Sequence, residues 1–199
     1  MVITIDGISW LGKSYIGKKL AEALEIDFFS TGLLVRLVAY KFVLCKSNYN
    51  DEYSAVKYAV ETVNNNEIEN ILNYDLYNTS VENALKIIAK YNFVAPSLNS
   101  ILRIYVRNKT IILDGRFTFS LFPDANKKYY FRSTIENRVE LYRKVKNVSI
   151  EEAIQYINFR DSFEENIVLP KDVIVIDPFN FSTEEIIEFL REDILNEGL

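Results

Sequence analysis

The sequence predicts an α/β fold: a five-stranded parallel sheet with helices on both faces and a mostly helical insert. Three observations lead there. Residues 7 to 14 read G-I-S-W-L-G-K-S, a full match to the phosphate-binding pattern G-x-x-x-x-G-K-[ST]. Five short apolar runs are continuous rather than alternating, as in strands covered on both faces. Helical patterns separate these runs, which is the βαβ rhythm of a parallel sheet.

Taken in order, Val2–Asp6 is the first strand and runs straight into the glycine-flanked loop. Lys13–Leu24 follows as a helix, with Ile16, Leu20, Ala21 and Leu24 at helical spacing. Asp27–Ser30 is the second strand. Residues 33–107 show no clear run of strands, are rich in Asn and Tyr, and break at Asn64-Asn65-Asn66, so they read as a helical insert. Thr110–Asp114, Lys128–Phe131 and Val173–Asp177 complete the strands. Three helix starts carry the S-x-x-E capping pattern: Ser133 with Glu136, Ser149 with Glu152, and Ser182 with Glu185. The last helix, Thr183–Leu195, places Ile186, Ile187, Leu190 and Ile194 on one face.

A chain of 199 residues, 49% hydrophobic, suits one domain over residues 1–199 with a sizeable core. Its net charge of −5 argues against a dedicated nucleic-acid-binding surface. The first apolar run is too short for a signal peptide or a membrane span. The single Cys45 allows no intrachain disulfide, which fits a cytoplasmic location. No feature calls for an obligate protein partner. Histidine is absent, so Ser-His-Asp and Cys-His nucleophiles, H-E-x-x-H metal sites and histidine bases are excluded. Lys, Arg, Asp, Glu and a hard cation remain. That inventory suits phosphoryl transfer, where catalysis is mostly positioning and charge neutralisation.

The loop supplies the anion site. Gly7, Ile8, Ser9, Trp10, Leu11, Gly12, Lys13, Ser14 and Tyr15 would wrap the phosphates of ATP, with backbone N–H groups and the helix dipole pointing inward. Lys13 would reach the β- and γ-phosphates, and the Ser14 hydroxyl would hold Mg²⁺. A GTPase should show D-x-x-G and N-K-x-D; here Asp114 is followed at once by Gly115, and Asn126-Lys127-Lys128-Tyr129 lacks the aspartate. The glycine-rich signature of transport ATPases is missing too. A strand ending in Asp114-Gly115-Arg116 and scattered later arginines favour a kinase of small molecules.

The chain resembles bacterial cytidylate kinases along nearly its whole length. The resemblance rests on Ile5-Asp6-Gly7 with the loop, Ser30-Thr31-Gly32 with Arg36, Asp114-Gly115-Arg116, Phe122-Pro123-Asp124-Ala125, Arg160-Asp161, Leu169-Pro170 and Val175-Ile176-Asp177. It implies a P-loop kinase sheet, a nucleotide-monophosphate-binding insert at 33–107 and a lid at 138–165. It implies that Lys13 and Ser14 hold the ATP phosphates and Mg²⁺, with Asp114 near the metal. Arg36, Arg116 and Arg160 would face the acceptor phosphate and the transferred group. Thr31, Asn99, Phe117 and Glu164 complete the implied acceptor site. Arg138, Arg143, Lys144 and Lys146 lie in the lid, either as phosphate clamps or as a solvated face.

Departures cluster around the base. The family's Gly-Arg-Asp is Gly115-Arg116-Phe117, so an acid that helps read cytosine becomes aromatic. A serine and an arginine at the base align with Lys90 and Asn99. The lid's arginine pair aligns with Leu141 and Tyr142, beside Arg143. A late arginine becomes Ile167, the ribose-binding aspartate becomes Glu164, and Trp10 and Leu11 replace small loop residues. The resemblance implies ATP-dependent phosphorylation of a nucleoside monophosphate, CMP or dCMP first. Two alternatives stay open: another nucleotide or small phosphorylated acceptor, and a nucleotide-binding paralogue with weak or no catalysis.

Overall fold

The computed structural model describes residues 1–161 and 167–196. The chain divides into two compact units, residues 1–29 with 109–199, and residues 30–108. Strands β1 (Val2–Gly7), β2 (Asp27–Ser30), β3 (Ile111–Asp114), β4 (Lys127–Phe131) and β5 (Ile174–Ile176) form one sheet, in the order β2-β3-β1-β4-β5. The phosphate-loop strand is therefore central, as the sequence predicts. β1 runs parallel to β3, with Ile5 beside Asp114, and parallel to β4, with Gly7 beside Phe131. β4 is parallel to β5, with Phe131 beside Ile176.

Helix α1 (Lys13–Leu24) and the C-terminal helix (Thr183–Leu195, α10 below) have the predicted bounds and lie against one another. Between them and the sheet sits a core that includes Ile3, Ile5, Leu20, Phe131, Leu190 and Ile194. Burying each such side chain stabilises the fold by about 1.5–3 kcal/mol. The tyrosines of β4 are buried as well. Tyr129 keeps its hydroxyl satisfied by donating to Asp193 Oδ2 at 2.7 Å, the requirement that burial places on a phenol.

Strand ends differ slightly from the expected bounds. Thr110 stands outside β3, although its carbonyl accepts from Asp27 N. Val173 and Asp177 flank β5; Val173 N bonds back to Pro170, and the Asp177 carboxylate accepts from Phe179 N in a 3₁₀ turn.

The second unit carries helices α2 (Gly32–Cys45), α3 (Glu52–Glu61), α4 (Asn65–Glu69), α5 (Thr79–Ile88) and α6 (Val94–Tyr105), with a short 3₁₀ turn between α2 and α3 and another between α4 and α5. The Asn64-Asn65-Asn66 break is a helix start. Asn64 Oδ1 accepts from Glu67 N, and Glu67 Oε2 accepts from Asn64 N, a closed capping box.

After β3 come the single turn α7 (Thr118–Leu121), then α8 (Ile135–Lys146) and α9 (Ile150–Asp161). The capping boxes at Ser149 and Ser182 form. The one expected at Ser133 does not. Thr134 caps α8 through Asn137 N, because the Ser133 hydroxyl is drawn to Asp177 Oδ2 across the sheet at 3.1 Å.

At Gly7, φ is 140° and a Cβ would lie 2.2 Å from the carbonyl oxygen of Phe131. Since that neighbour is strand backbone, it cannot move aside. Gly7→Ala should therefore cost about 3 kcal/mol by chemical denaturation. A loss well below about 1 kcal/mol would show that β1 and β4 separate there without penalty.

Candidate active site

The loop between β1 and α1 bends through two left-handed residues, Trp10 at φ 62° and Gly12 at φ 72°. Gly12 caps α1 with its carbonyl, which accepts from Ile16 N at 2.9 Å. No side chain caps this helix end and no acid lies in its first turn. The first-turn N–H groups and the dipole thus present positive potential to the loop. Leu11 is buried and pins the loop down, while Ser14 and Tyr15 are exposed. Lys13 folds over the loop, its Nζ donating to the carbonyl of Ile8 at 2.5 Å.

Two carboxylates emerge where the central strands end. Asp6 is fully buried. Its oxygens accept from Thr118 N at 2.7 Å and Phe119 N at 2.8 Å, which fastens the α7 turn to β1. Burial pushes the Asp6 carboxyl above its ordinary value, against the pull of bonds from Thr118 and Phe119 and of the Lys13 charge. Asp6 was legible only as part of a motif; its partners lie over a hundred residues away. Asp114, on β3, is buried, and its Oδ2 has no hydrogen-bond partner among the described residues. A buried carboxylate oxygen left open at a strand end fits a hydrated hard cation. Among the described residues no cluster of three or more His, Cys, Asp or Glu side chains forms a self-sufficient metal cage. A cation there must take most ligands from phosphate and water, as Mg²⁺ does.

Arg116 and Arg160 are brought together: Arg116 Nη1 donates to the Arg160 carbonyl at 3.3 Å. Phe117, next to Arg116 in sequence, is 39% exposed at the start of α7. In the stretch expected to form a lid, Arg138 turns inward. Its guanidinium makes two bonds to Asp161, at 2.8 and 2.6 Å, and joins α8 to α9. This bidentate pair, with the arginine buried, makes Arg138 a strut rather than an open anion ligand. Arg143 meets Glu140 on the exposed face. Lys146 lies 6.0 Å from the Trp10 ring, and Trp10 meets Tyr142 edge to face. Glu164 lies outside the described residues.

The second unit holds Thr31, Arg36, Lys90 and Asn99. Thr31 precedes α2 without capping it by its side chain. Arg36 donates to the Leu76 carbonyl at 3.0 Å and to Glu82 Oε1 at 2.7 Å, with its guanidinium 4.4 Å from the centre of the Tyr77 ring. Glu82 and Tyr77 carry no motif, so the sequence did not single them out. Asn99 is half-buried on α6, and Lys90 is exposed.

The family model described as cytidylate kinase matches residues 3–196. The cytidylate kinase of Clostridioides difficile (strain 630) is 30% identical over 205 residues, covering 94% of this chain and 95% of that protein. The cytidylate kinase of Thermodesulfovibrio yellowstonii is 28% identical, covering 99% of both. Among solved structures, a gluconokinase from Sinorhizobium meliloti 1021 superposes with a TM-score of 0.55 at 12% identity, covering 100% of this chain and 97% of its own, a likeness of fold.

The raised Asp6 value has a definite sign. An acid that holds its proton more tightly when folded favours folding at low pH, and that contribution is lost as pH rises from 3.8 through the raised value. Asp6→Asn, which mimics the protonated form, should be at least as stable as the parent at pH 7. Urea melts of both proteins from pH 4 upward should show the variant gaining relative stability as pH rises. A gap that moves the other way would mean the hydrogen bonds outweigh burial.

Proposed function

The chain belongs to the cytidylate kinase family, and on that premise we propose that it transfers the γ-phosphoryl group of ATP to CMP or dCMP, giving ADP and the diphosphate. The observation that carries this reading is the uncapped start of α1 behind a doubly left-handed loop, with Lys13 poised over it. Such a cradle offers oriented N–H donors to a polyphosphate without reorganisation.

In this reading, residues 7–15 wrap the ATP phosphates, and Lys13 exchanges its bond to the Ile8 carbonyl for the β- and γ-phosphate oxygens. Ser14 and Asp114 would hold Mg²⁺, which when bound would supply charge neutralisation. The acceptor phosphate attacks in line, and no covalent enzyme intermediate is needed. Arg36, Arg116 and Arg160 neutralise the charge that spreads over the transferred group. Glu82 balances Arg36 until a phosphate takes its place. Thr31, Asn99, Phe117 and Glu164 complete the acceptor site, where Phe117 offers a stacking face. No described helix is long and apolar enough to cross a membrane. The proposed setting is the cytoplasm, in pyrimidine nucleotide metabolism, with small nucleotides as the binding partners.

Lys13→Ala should lower kcat/KM by about 100-fold or more in a coupled ADP-release assay, since the β- and γ-phosphate charge loses its partner. Normal turnover by that variant would remove the loop from the mechanism. A second measurement addresses the acceptor: kcat/KM for CMP, dCMP, UMP, AMP and GMP under one set of conditions. CMP and dCMP should be turned over, with a preference over UMP of about 100-fold or less. The reason is that Phe117 cannot accept a hydrogen bond from the exocyclic amine that marks cytosine. A far stronger preference would show that another residue reads that amine. ATP binding with no turnover of any monophosphate would point to a different acceptor or to a non-catalytic role.

A further inference from the structure

Trp10 is a bulky residue in the left-handed region, at φ 62°, inside the phosphate loop. A side chain there is strained unless its surroundings hold it. The holding contacts come from α8 and α9. The Trp10 ring meets Tyr142 edge to face, centroids 4.6 Å apart and planes at 89°. Tyr142 in turn stacks on Tyr156 of α9, at 4.5 Å and 14°. Val139, Ala153 and Ile157 pack beneath this stack, and Lys146 approaches the indole from one turn further along α8. The Arg138–Asp161 pair locks α8 to α9, so the rings stand on a braced platform. Trp10 also sits between Ile8, whose carbonyl holds Lys13, and Gly12, which caps α1. Trp10 thus lies between the two features that shape the loop.

We propose that Tyr142 is a positioning residue for the phosphate loop: through Trp10 it holds the loop in its anion-accepting form and so ties nucleotide affinity to the α8–α9 hairpin. Tyr142 itself need touch no nucleotide. The proposal rests on the reading of residues 7–15 as the ATP site.

The test is a double-mutant cycle with Tyr142→Leu and Trp10→Gly, with Tyr142→Phe as the conservative control. Leu keeps apolar bulk over Val139 and Ile157, while Gly accepts the positive φ without the ring. Calorimetry with ATP, and steady-state kinetics with CMP, are read for the four proteins of the cycle and for the Tyr142→Phe control. Tyr142→Leu should weaken ATP binding about three- to tenfold, the range set by loss of an aromatic pair. Its kcat and its KM for CMP should change less than twofold, and Tyr142→Phe should match the parent. In the Trp10→Gly background, Tyr142→Leu should add no further loss. Unchanged ATP affinity in Tyr142→Leu, or losses that simply multiply, would overturn the proposal.

Amide exchange of residues 8–12 needs no nucleotide and decides the matter separately. Exchange should quicken in Tyr142→Leu and not in Tyr142→Phe, and equal rates in all three would overturn the proposal. If the parent protein binds no ATP, the reading of its function fails, while the exchange result still judges the loop contact. Should Tyr142→Leu fail to fold, loop exchange in Trp10→Gly against the parent carries the same decision.

Discussion

The backbone of Phe131 occupies the space where a side chain on Gly7 would be, and much of the site follows from that contact. It brings β4 close against the end of β1 and forces the chain to leave the sheet at an angle open to glycine. The loop that follows must then turn back within five residues to start α1. It does so through positive φ at Trp10 and Gly12, leaving the first-turn amides of α1 uncapped and facing inward. An anion cradle is therefore a consequence of strand packing as much as of loop composition.

Charge is handled differently at each depth of the first unit. At the strand ends, Asp6 is buried at an electrostatic cost that two backbone amides only partly offset. It is placed next to Lys13, whose charge favours the ionised form. Asp114 keeps an oxygen without a partner among the described residues, an arrangement stable folding alone does not favour. Further out, Arg138 and Asp161 satisfy one another, and Lys127 and Tyr129 share the carboxylate of Asp193. The two carboxylates left incompletely satisfied thus lie at the ends of β1 and β3, where a charged substrate and its cation would compensate them.

The second unit shows why a motif residue is not yet a site. Arg36 matches the family pattern, yet its guanidinium is shared among the Leu76 carbonyl, Glu82 and the Tyr77 ring. Each of those partners orients the fork and each competes for it. In the proposed acceptor role, a carboxylate that yields to phosphate would lower affinity for the anion while sharpening the geometry in which it is received.

The sequence alone determined whatever depends on neighbours along the chain. Helices α1 and α10 have their predicted bounds because apolar spacing and caps act within a few residues. The glycine-flanked loop was legible for the same reason, as were the five strands to within a residue or two at each end. Tertiary structure decided the rest. Ser133 is no cap, because Asp177 competes for its hydroxyl. The Asn64-Asn65-Asn66 break became a helix start, once Glu67 closed the box. The partners of Asp6, the Arg138–Asp161 strut and the Trp10–Tyr142 contact join residues from about 20 to over 100 positions apart. No local period encodes such pairs. They form only when the sheet order sets which elements meet, so their energies belong to the packed molecule and not to any one segment.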